Sequence, residues 1–341
     1  MSKKVWGDQS TQFFFDLTPD TVLSAIESLG FKTTGRCLAL NSMENRVYEV
    51  EIEVDKSKVT SPSDHFIVTK FYRPARWSRE QILDEHTFLF DLVENEIPVV
   101  APLKFDNESL FKCEKTNLFF TVFPKKGGRI PDEMNHTQIE IMGRMLARLH
   151  NVGTQRKAEH RIQISPESFA TANLEQLLKT NLIPKHFEES YQNLVQQLVQ
   201  LITPKFNGIH NIRIHGDCHW GNIIWREDEG PFFVDFDDML TGPAVQDVWL
   251  VVPGRDQDGL LKRQKLLECY QQLRDFDHRE IKLIEPLRTL RYIHFTTWIA
   301  KRWEDQSFKN AFPQFGTEQY WQNQTQDLRN QISLIQEELF Y

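Results

Sequence analysis

The sequence predicts an α+β chain of two lobes, a strand-rich first lobe and a helical second lobe that carries one hairpin. Three observations predict it. Alternating, β-branched stretches fall at 36–54, 65–71 and 118–123, with one long amphipathic helix among them. The glycine pair Gly127-Gly128 follows a strand that ends at Pro124, and reads as a flexible joint. Beyond it, apolar residues recur at helical spacing almost to the end, interrupted by a single strand-like stretch at 212–235. The division implied is an amino-terminal lobe over 1–124 and a carboxy-terminal lobe over 125–341.

Taken in order, the first ten residues read as a loose tail. Thr18 caps a helix with Pro19 in its first turn; Val22, Leu23, Ile26 and Leu29 form its stripe, and Gly30 closes it. Residues 46–54 are a strand, 57–64 a turn-rich connector and 65–71 another strand. Ser78 caps a helix over 78–95 whose apolar face is Ile82, Leu83, Phe88, Leu89 and Leu92. Residues 97–102 are extended and bounded by proline, and 118–123 is a strong strand. Helices are expected over 137–150, 186–203, 256–275, 279–304 and 317–338. Within 212–235, residues 222–225 and 232–236 flank the acidic turn 227–230, as in a hairpin. The Met142, Met145 and Phe13–Phe15 stripes read as core.

Composition narrows the function. The chain has 341 residues, 40% hydrophobic and 26% charged, enough for a sizeable core. A net charge of −8 argues against a nucleic-acid partner coating the whole surface. No apolar run approaches the roughly 20 residues of a membrane span, and MSKKVWGDQS holds no apolar signal core. Four scattered cysteines without a CxxC pair fit reduced thiols. The expectation is a cytoplasmic monomer with no membrane partner.

The informative segment is His215-Gly-Asp217-Cys-His-Trp-Gly-Asn222, followed by Phe233-Val-Asp235-Phe-Asp237-Asp238. Phosphoryl transfer from ATP needs a carboxylate for the attacking hydroxyl, hard oxygen ligands for Mg²⁺ and a cation on the α/β-phosphates. Asp217 can be the first; Asn222 lies five residues on and Asp235 eighteen, across a hairpin that returns them to one place. That is the order of kinase catalytic and metal loops. A zinc cluster of His215, Asp217 and His219 is the weaker alternative, since no distant His-rich partner appears.

With these motifs go Leu40-Asn-Ser-Met-Glu-Asn-Arg-Val-Tyr48, Lys70-Phe-Tyr-Arg73-Pro74, Ile284-Glu-Pro-Leu-Arg288 and the closing Tyr341. On them the chain, from about residue 12 onward, resembles the bacterial stress response kinase A family, Ser/Thr protein kinases of the aminoglycoside-phosphotransferase branch of the protein-kinase-like superfamily. The resemblance implies a bilobal protein-kinase-like (aminoglycoside phosphotransferase-like) fold, and an ATP- and Mg²⁺-dependent enzyme that phosphorylates protein Ser/Thr, itself included, in stress response. It implies that Asp217 is the catalytic base and that Asn222 and Asp235 are Mg²⁺ ligands. Lys70 would contact the α/β-phosphates and Glu85 pair with it, in competition with Glu80 and Asp84. Ser42 would lie in the phosphate-covering loop, the adenine hinge would run over 120–123, ending on Phe123, and Asp247 would brace the catalytic loop. A small-molecule kinase acting on an aminoglycoside, choline or homoserine would use the same residues.

Two departures stand out. Residues 41–45 replace the glycine-rich loop, and only eleven residues separate Asp235 from Asp247, too few for a switching activation loop. Three clusters have bland readings. Asp237 and Asp238 read as acceptors for local amides, with contact to a second metal ion as the alternative for Asp237. Lys70, Arg73, Arg76 and Arg79, interleaved with aromatics, suggest a partly packed surface rather than a single-strand platform. Arg288, Arg291, Lys301 and Arg302 read first as a solvated helix face, and second as a substrate dock.

Overall fold

A computed structural model of the chain describes residues 17–55, 57, 59–131 and 133–337. The expected tail, the Phe13–Phe15 stripe and Tyr341 lie outside the described residues. The described residues divide into two compact units, one containing 17–133 together with 219–237, the other 134–218 with 238–337.

The first unit opens with α1 (Pro19–Glu27), whose Thr18 cap accepts the Thr21 amide as the sequence predicts. Strands β1 (Thr33–Leu40), β2 (Arg46–Ile52) and β3 (Phe66–Phe71) follow. Helix α2 (Arg79–Glu94) starts at Ser78, where Ser78 and Gln81 satisfy each other's backbone in a capping box. Strands β4 (Phe111–Lys112) and β5 (Phe119–Pro124) complete an antiparallel sheet in the order β1-β2-β3-β5-β4. Its core side packs Val22 and Ile26 of α1 against Val50, Ile67, Phe71, Phe120 and Val122, all buried. Phe71 and Phe120 stack 5.2 Å apart. Burying such side chains contributes about 1.5–3 kcal/mol each, which fixes the register of β3 and hence the position of Lys70.

The second unit takes the helices and a two-stranded ladder. In chain order these are α3 (His136–Gly153), α4 (Ala172–Leu178), α5 (Lys185–Ile202) and strand β6 (Ile212–Ile214). The hairpin of β7 (Ile223–Arg226) and β8 (Gly230–Phe233) then returns to the first unit. Strand β9 (Leu240–Gly242) pairs with β6, and α6 (Val245–Val251), α7 (Gln257–Tyr270), α8 (Ile284–Lys301), α9 (Gln306–Ala311) and α10 (Glu318–Gln336) follow. Helix α3 lies so close to α7 that a Cβ on Gly143 would overlap the Leu266 carbonyl. Tyr191 and Trp321 meet edge to face at 5.4 Å where α5 packs on α10.

Gly128 packs closely on the hairpin. Its neighbour Arg129 bridges Trp225 in both directions, at 3.0 and 2.7 Å, and a Cβ on Gly128 would overlap the Ile224 side chain. The glycine permits close approach to β7. The hairpin also meets the extended passage after α2, where Phe233 donates to Pro98 and accepts from Val100.

Candidate active site

Lys70 sits on β3 with its ammonium buried. Its Nζ lies 3.0 Å from Glu85 Oε1, 3.3 Å from Asp237 Oδ1 and 4.0 Å from Asp235 Oδ1. Glu85, rather than Glu80 or Asp84, is therefore the partner that α2 presents. Burial works against the charged ammonium, yet Glu85, Tyr72, Asp237 and Asp235 outweigh it and hold the Lys70 pKa well above the usual lysine range. Helix α2 is fastened to the sheet through His86, whose ring nitrogens lie 2.9 Å from both the Tyr72 and the Ser109 hydroxyls. The Lys70 Nζ also lies 4.7 Å from the Tyr72 ring centroid and 5.8 Å from that of Phe123.

Asp237 has a role the sequence reading did not assign it. Its buried carboxylate pairs with both Lys70 and Arg76. Arg76 in turn reaches Glu44 Oε1 at 3.7 Å. Arg73, also buried, binds the loop 41–45 at several points. Its Nε donates to the Glu44 carbonyl at 2.7 Å, its Nη2 to the Met43 carbonyl at 3.1 Å, and its backbone amide to Asn45 Oδ1 at 3.0 Å. Ser42, half-buried, stands on this loop. Side-chain clamps thus hold the loop 41–45, and Arg73 and Arg76 of the cation–aromatic run 70–79 supply them.

Asn222 and Asp235 lie on either side of the hairpin. The Asn222 carbonyl accepts the Val234 amide at 3.0 Å, which brings Asn222 beside the residue that precedes Asp235. Asp235 adopts a left-handed φ of +59°, costly for a side-chain-bearing residue. Its carboxylate is 57% exposed, in contrast to the buried Asp237. Carboxylate and amide oxygens so presented are the donor set a hard divalent cation takes.

Asp217 belongs to the second unit. Strand β6 leads into it, and Asp247 of α6 organises the approach, its two carboxylate oxygens accepting the His215 and Gly216 amides at 2.9 Å each. His150 Nε2 lies 3.1 Å from Asp247, and Gln246 donates to the Gly216 carbonyl at 3.0 Å. Gly216 has φ +83°, and a Cβ there would overlap the Asp238 carbonyl. The Asp217 carboxylate pairs with Arg291 of α8 at 2.8 Å. The expected solvated face is thus largely engaged: on α8 Arg288 donates to the Pro253 carbonyl and covers the Trp249 ring, and Arg302, just past the helix end, is buried.

Six of the seven expected site residues, Ser42, Lys70, Glu85, Phe123, Asn222 and Asp235, fall in the first unit and Asp217 in the second. Of the first six, Lys70 meets both Glu85, at 3.0 Å, and Asp235, at 4.0 Å. Sequence reasoning missed Asn45, Arg73 and Arg76 as loop clamps, and His150 and Gln246 as supports. Among the described residues no three His, Cys, Asp or Glu side chains gather as a metal cluster. No helix among them is long and apolar enough to cross a membrane.

A model of the phosphotransferase enzyme family matches residues 38–284. The chain is 36% identical over 325 residues to stress response kinase A of Escherichia coli strain K12, covering 95% of both chains. The same identity and coverage relate it to a Salmonella typhimurium protein named serine/threonine protein kinase RdoA. Among solved structures, an amicoumacin kinase bound to AMP-PNP superposes with a TM-score of 0.66 at 18% identity, over 94% of each chain. A spectinomycin phosphotransferase bound to ADP gives 0.65 at 11% identity, over 95% of this chain and 100% of that one. These two likenesses establish the aminoglycoside-phosphotransferase fold.

Proposed function

Because the chain belongs to the phosphotransferase enzyme family and, within it, to the stress response kinase A family, we propose that it is an ATP- and Mg²⁺-dependent protein kinase that transfers phosphate to Ser or Thr, including its own, in stress response. The observation that carries this reading is the buried, charged Lys70 held by Glu85 beside the exposed Asp235.

In this reading Lys70 holds the α/β-phosphates and Glu85 keeps its ammonium in place. The loop 41–45, clamped by Arg73, covers the phosphates, and the end of β5 at Phe123 borders the adenine. Asn222 and Asp235 offer the oxygens that would hold Mg²⁺, and the Mg²⁺–nucleotide supplies a phosphoryl group whose charge the metal neutralises. Asp217 receives the acceptor hydroxyl's proton, and Asp247 fixes the loop that presents it. A protein acceptor is supported by the name of the Salmonella relative and by Arg291 beside Asp217, which suits an acidic segment better than an ammonium-bearing small molecule.

The test is labelled-ATP transfer by the purified protein, to itself, to a generic acidic protein and to a panel of aminoglycosides, choline and homoserine. Protein labelling with no saturable small-alcohol turnover is expected. Asp217→Ala is expected to lose about 10²–10⁴-fold in transfer while retaining ATP binding. Rapid turnover of one small alcohol without protein labelling overturns the acceptor assignment; near-normal transfer by Asp217→Ala overturns the base.

A further inference from the structure

Within the second unit, α8 sets a cation on the carboxylate that follows β6: Arg291 Nη1 lies 2.8 Å from Asp217 Oδ1. We propose that Arg291 is a positioning residue that guards the base. It holds the Asp217 carboxylate while no acceptor is bound, and releases it when an acidic acceptor segment takes the guanidinium in exchange. This rests on Asp217 being the base. The chemistry gives such a base reason to be guarded, because water outnumbers any acceptor hydroxyl. In the side reaction a water oxygen bonds the γ-phosphorus, the bond from that phosphorus to the β-phosphate oxygen breaks, Asp217 takes the water's proton, and ADP and inorganic phosphate leave. A guanidinium seated on the carboxylate occupies lone pairs that this proton needs.

The contact is built to open. Both side chains are part exposed, so water competes for them and parting them costs little. Among the described residues Asp217 is the one carboxylate paired with Arg291, whereas Arg288 of the same helix is tied to both the Pro253 carbonyl and Glu285. The loop that carries Asp217 does not depend on Arg291 for its shape. Asp247 accepts the His215 and Gly216 amides, and Gly216 turns the chain with its left-handed φ. Release of Arg291 therefore frees the carboxylate without dismantling its support. A guanidinium fork exchanges one carboxylate for another with no change of charge, which makes an acidic acceptor the natural displacer. One helical turn on, Phe295 is 44% exposed and stacks on Trp298 at 5.4 Å. It shares a side of α8 with Arg291, about 6 Å farther along the axis, the span of about two residues of extended chain. An acceptor segment with a carboxylate and an aromatic side chain two residues apart engages both.

The measurement is inorganic phosphate released from Mg²⁺–ATP by the full-length protein with no acceptor present. Arg291→Ala is expected to release it fivefold or more faster than wild type, a gain that a merely structural role would not produce. Arg291→Lys, which keeps a cation at the carboxylate, is expected to stay within twofold of wild type. Asp217→Ala/Arg291→Ala is expected to fall to the level of Asp217→Ala, since the gain comes from the freed carboxylate. A second arm follows transfer to two serine peptides, one carrying glutamate and phenylalanine two residues apart, the other glutamine and alanine in their place. Wild type is expected to favour the first tenfold or more, and Arg291→Ala to lose most of that preference. Phosphate release by Arg291→Ala at or below the wild-type rate overturns the guard, as does a gain that survives in the double variant. Equal use of both peptides by wild type overturns the acidic exchange. Failure to label any peptide counts against a protein acceptor alone, and the hydrolysis comparison still decides the guard.

Discussion

Arg291 Nη1 lies 2.8 Å from Asp217 Oδ1, so the cation that α8 presents is seated on the carboxylate proposed as the base. The pair is part exposed, 40% at Arg291 and 21% at Asp217. Such pairs contribute at most about 1 kcal/mol to stability. Beside it Phe295 is exposed and stacks on Trp298 at 5.4 Å. Arg291→Ala should therefore leave the melting temperature within about 2 °C of wild type. In steady-state kinetics it should raise KM for an acidic protein acceptor roughly tenfold, with KM for ATP unchanged. A change confined to KM for ATP would remove Arg291 from the acceptor side.

The Lys70–Glu85 pair is buried on both sides, which separates its stability from its use. Lys70→Met leaves Glu85 and Asp237 without their shared cation. We expect a loss of about 3–5 kcal/mol in unfolding free energy and about 10²–10³-fold in transfer. Lys70→Met/Glu85→Leu replaces the pair with apolar groups and should recover much of the stability, read by urea denaturation, with no recovery of transfer. Recovery of both would reduce the pair to a structural contact.

Local signals made most of the fold legible. Thr18, Ser78, Asp256 and Thr317 each cap the helix that the spacing predicts there. Short elements gave no signal. Strand β9 has three residues and forms only because β6 offers a partner, and α6 has seven residues, all buried, so neither shows a periodicity. Strand β1 begins at Thr33, ahead of the alternation from 36, where Thr33 pairs with Ile52 across a register shift that interrupts the alternation before Cys37. In the candidate site, Lys70, Asn222 and Asp235 stood out through their motifs and Glu85 through the resemblance, and the structure seats Lys70 against Glu85 and Asp235. Arg73 and Asn45 did not stand out, since their work is a contact between a loop and a strand end 28 residues away. The Asn-Arg step after Glu44 and the Arg-Pro step after Tyr72 are a pairing that no spacing rule connects.

Arg73 offers a direct test of the loop clamp. It reaches two carbonyls with one guanidinium, at 2.7 and 3.1 Å. Lysine carries the charge without the fork. Arg73→Lys should therefore raise KM for ATP about tenfold, close to the effect of Arg73→Ala, and change kcat less than threefold in the same assay. Full rescue by lysine would show that charge alone holds residues 41–45.

Glu280 supplies a pH dependence whose sign follows from its surroundings. It is buried, and its Oε2 accepts the Val245 amide at 2.8 Å at the start of α6, where Ala244 offers no side-chain cap. Burial pushes its pKa up from 4.5 to about 7, against the Val245 hydrogen bond, which lowers it, and with Asp277, which raises it. The folded state thus prefers the protonated acid. The stability this gives is fully present below about pH 4.5, declines as the carboxyl ionises, and is lost as pH rises through about 7. Glu280→Gln fixes the neutral form. Its melting temperature relative to wild type should rise by about 2–5 °C between pH 5 and pH 8, by differential scanning calorimetry. Because α6 carries Asp247, transfer by wild type should lose activity on prolonged incubation at pH 8 sooner than the glutamine variant does. A melting-temperature gap that narrows with rising pH would contradict the assignment.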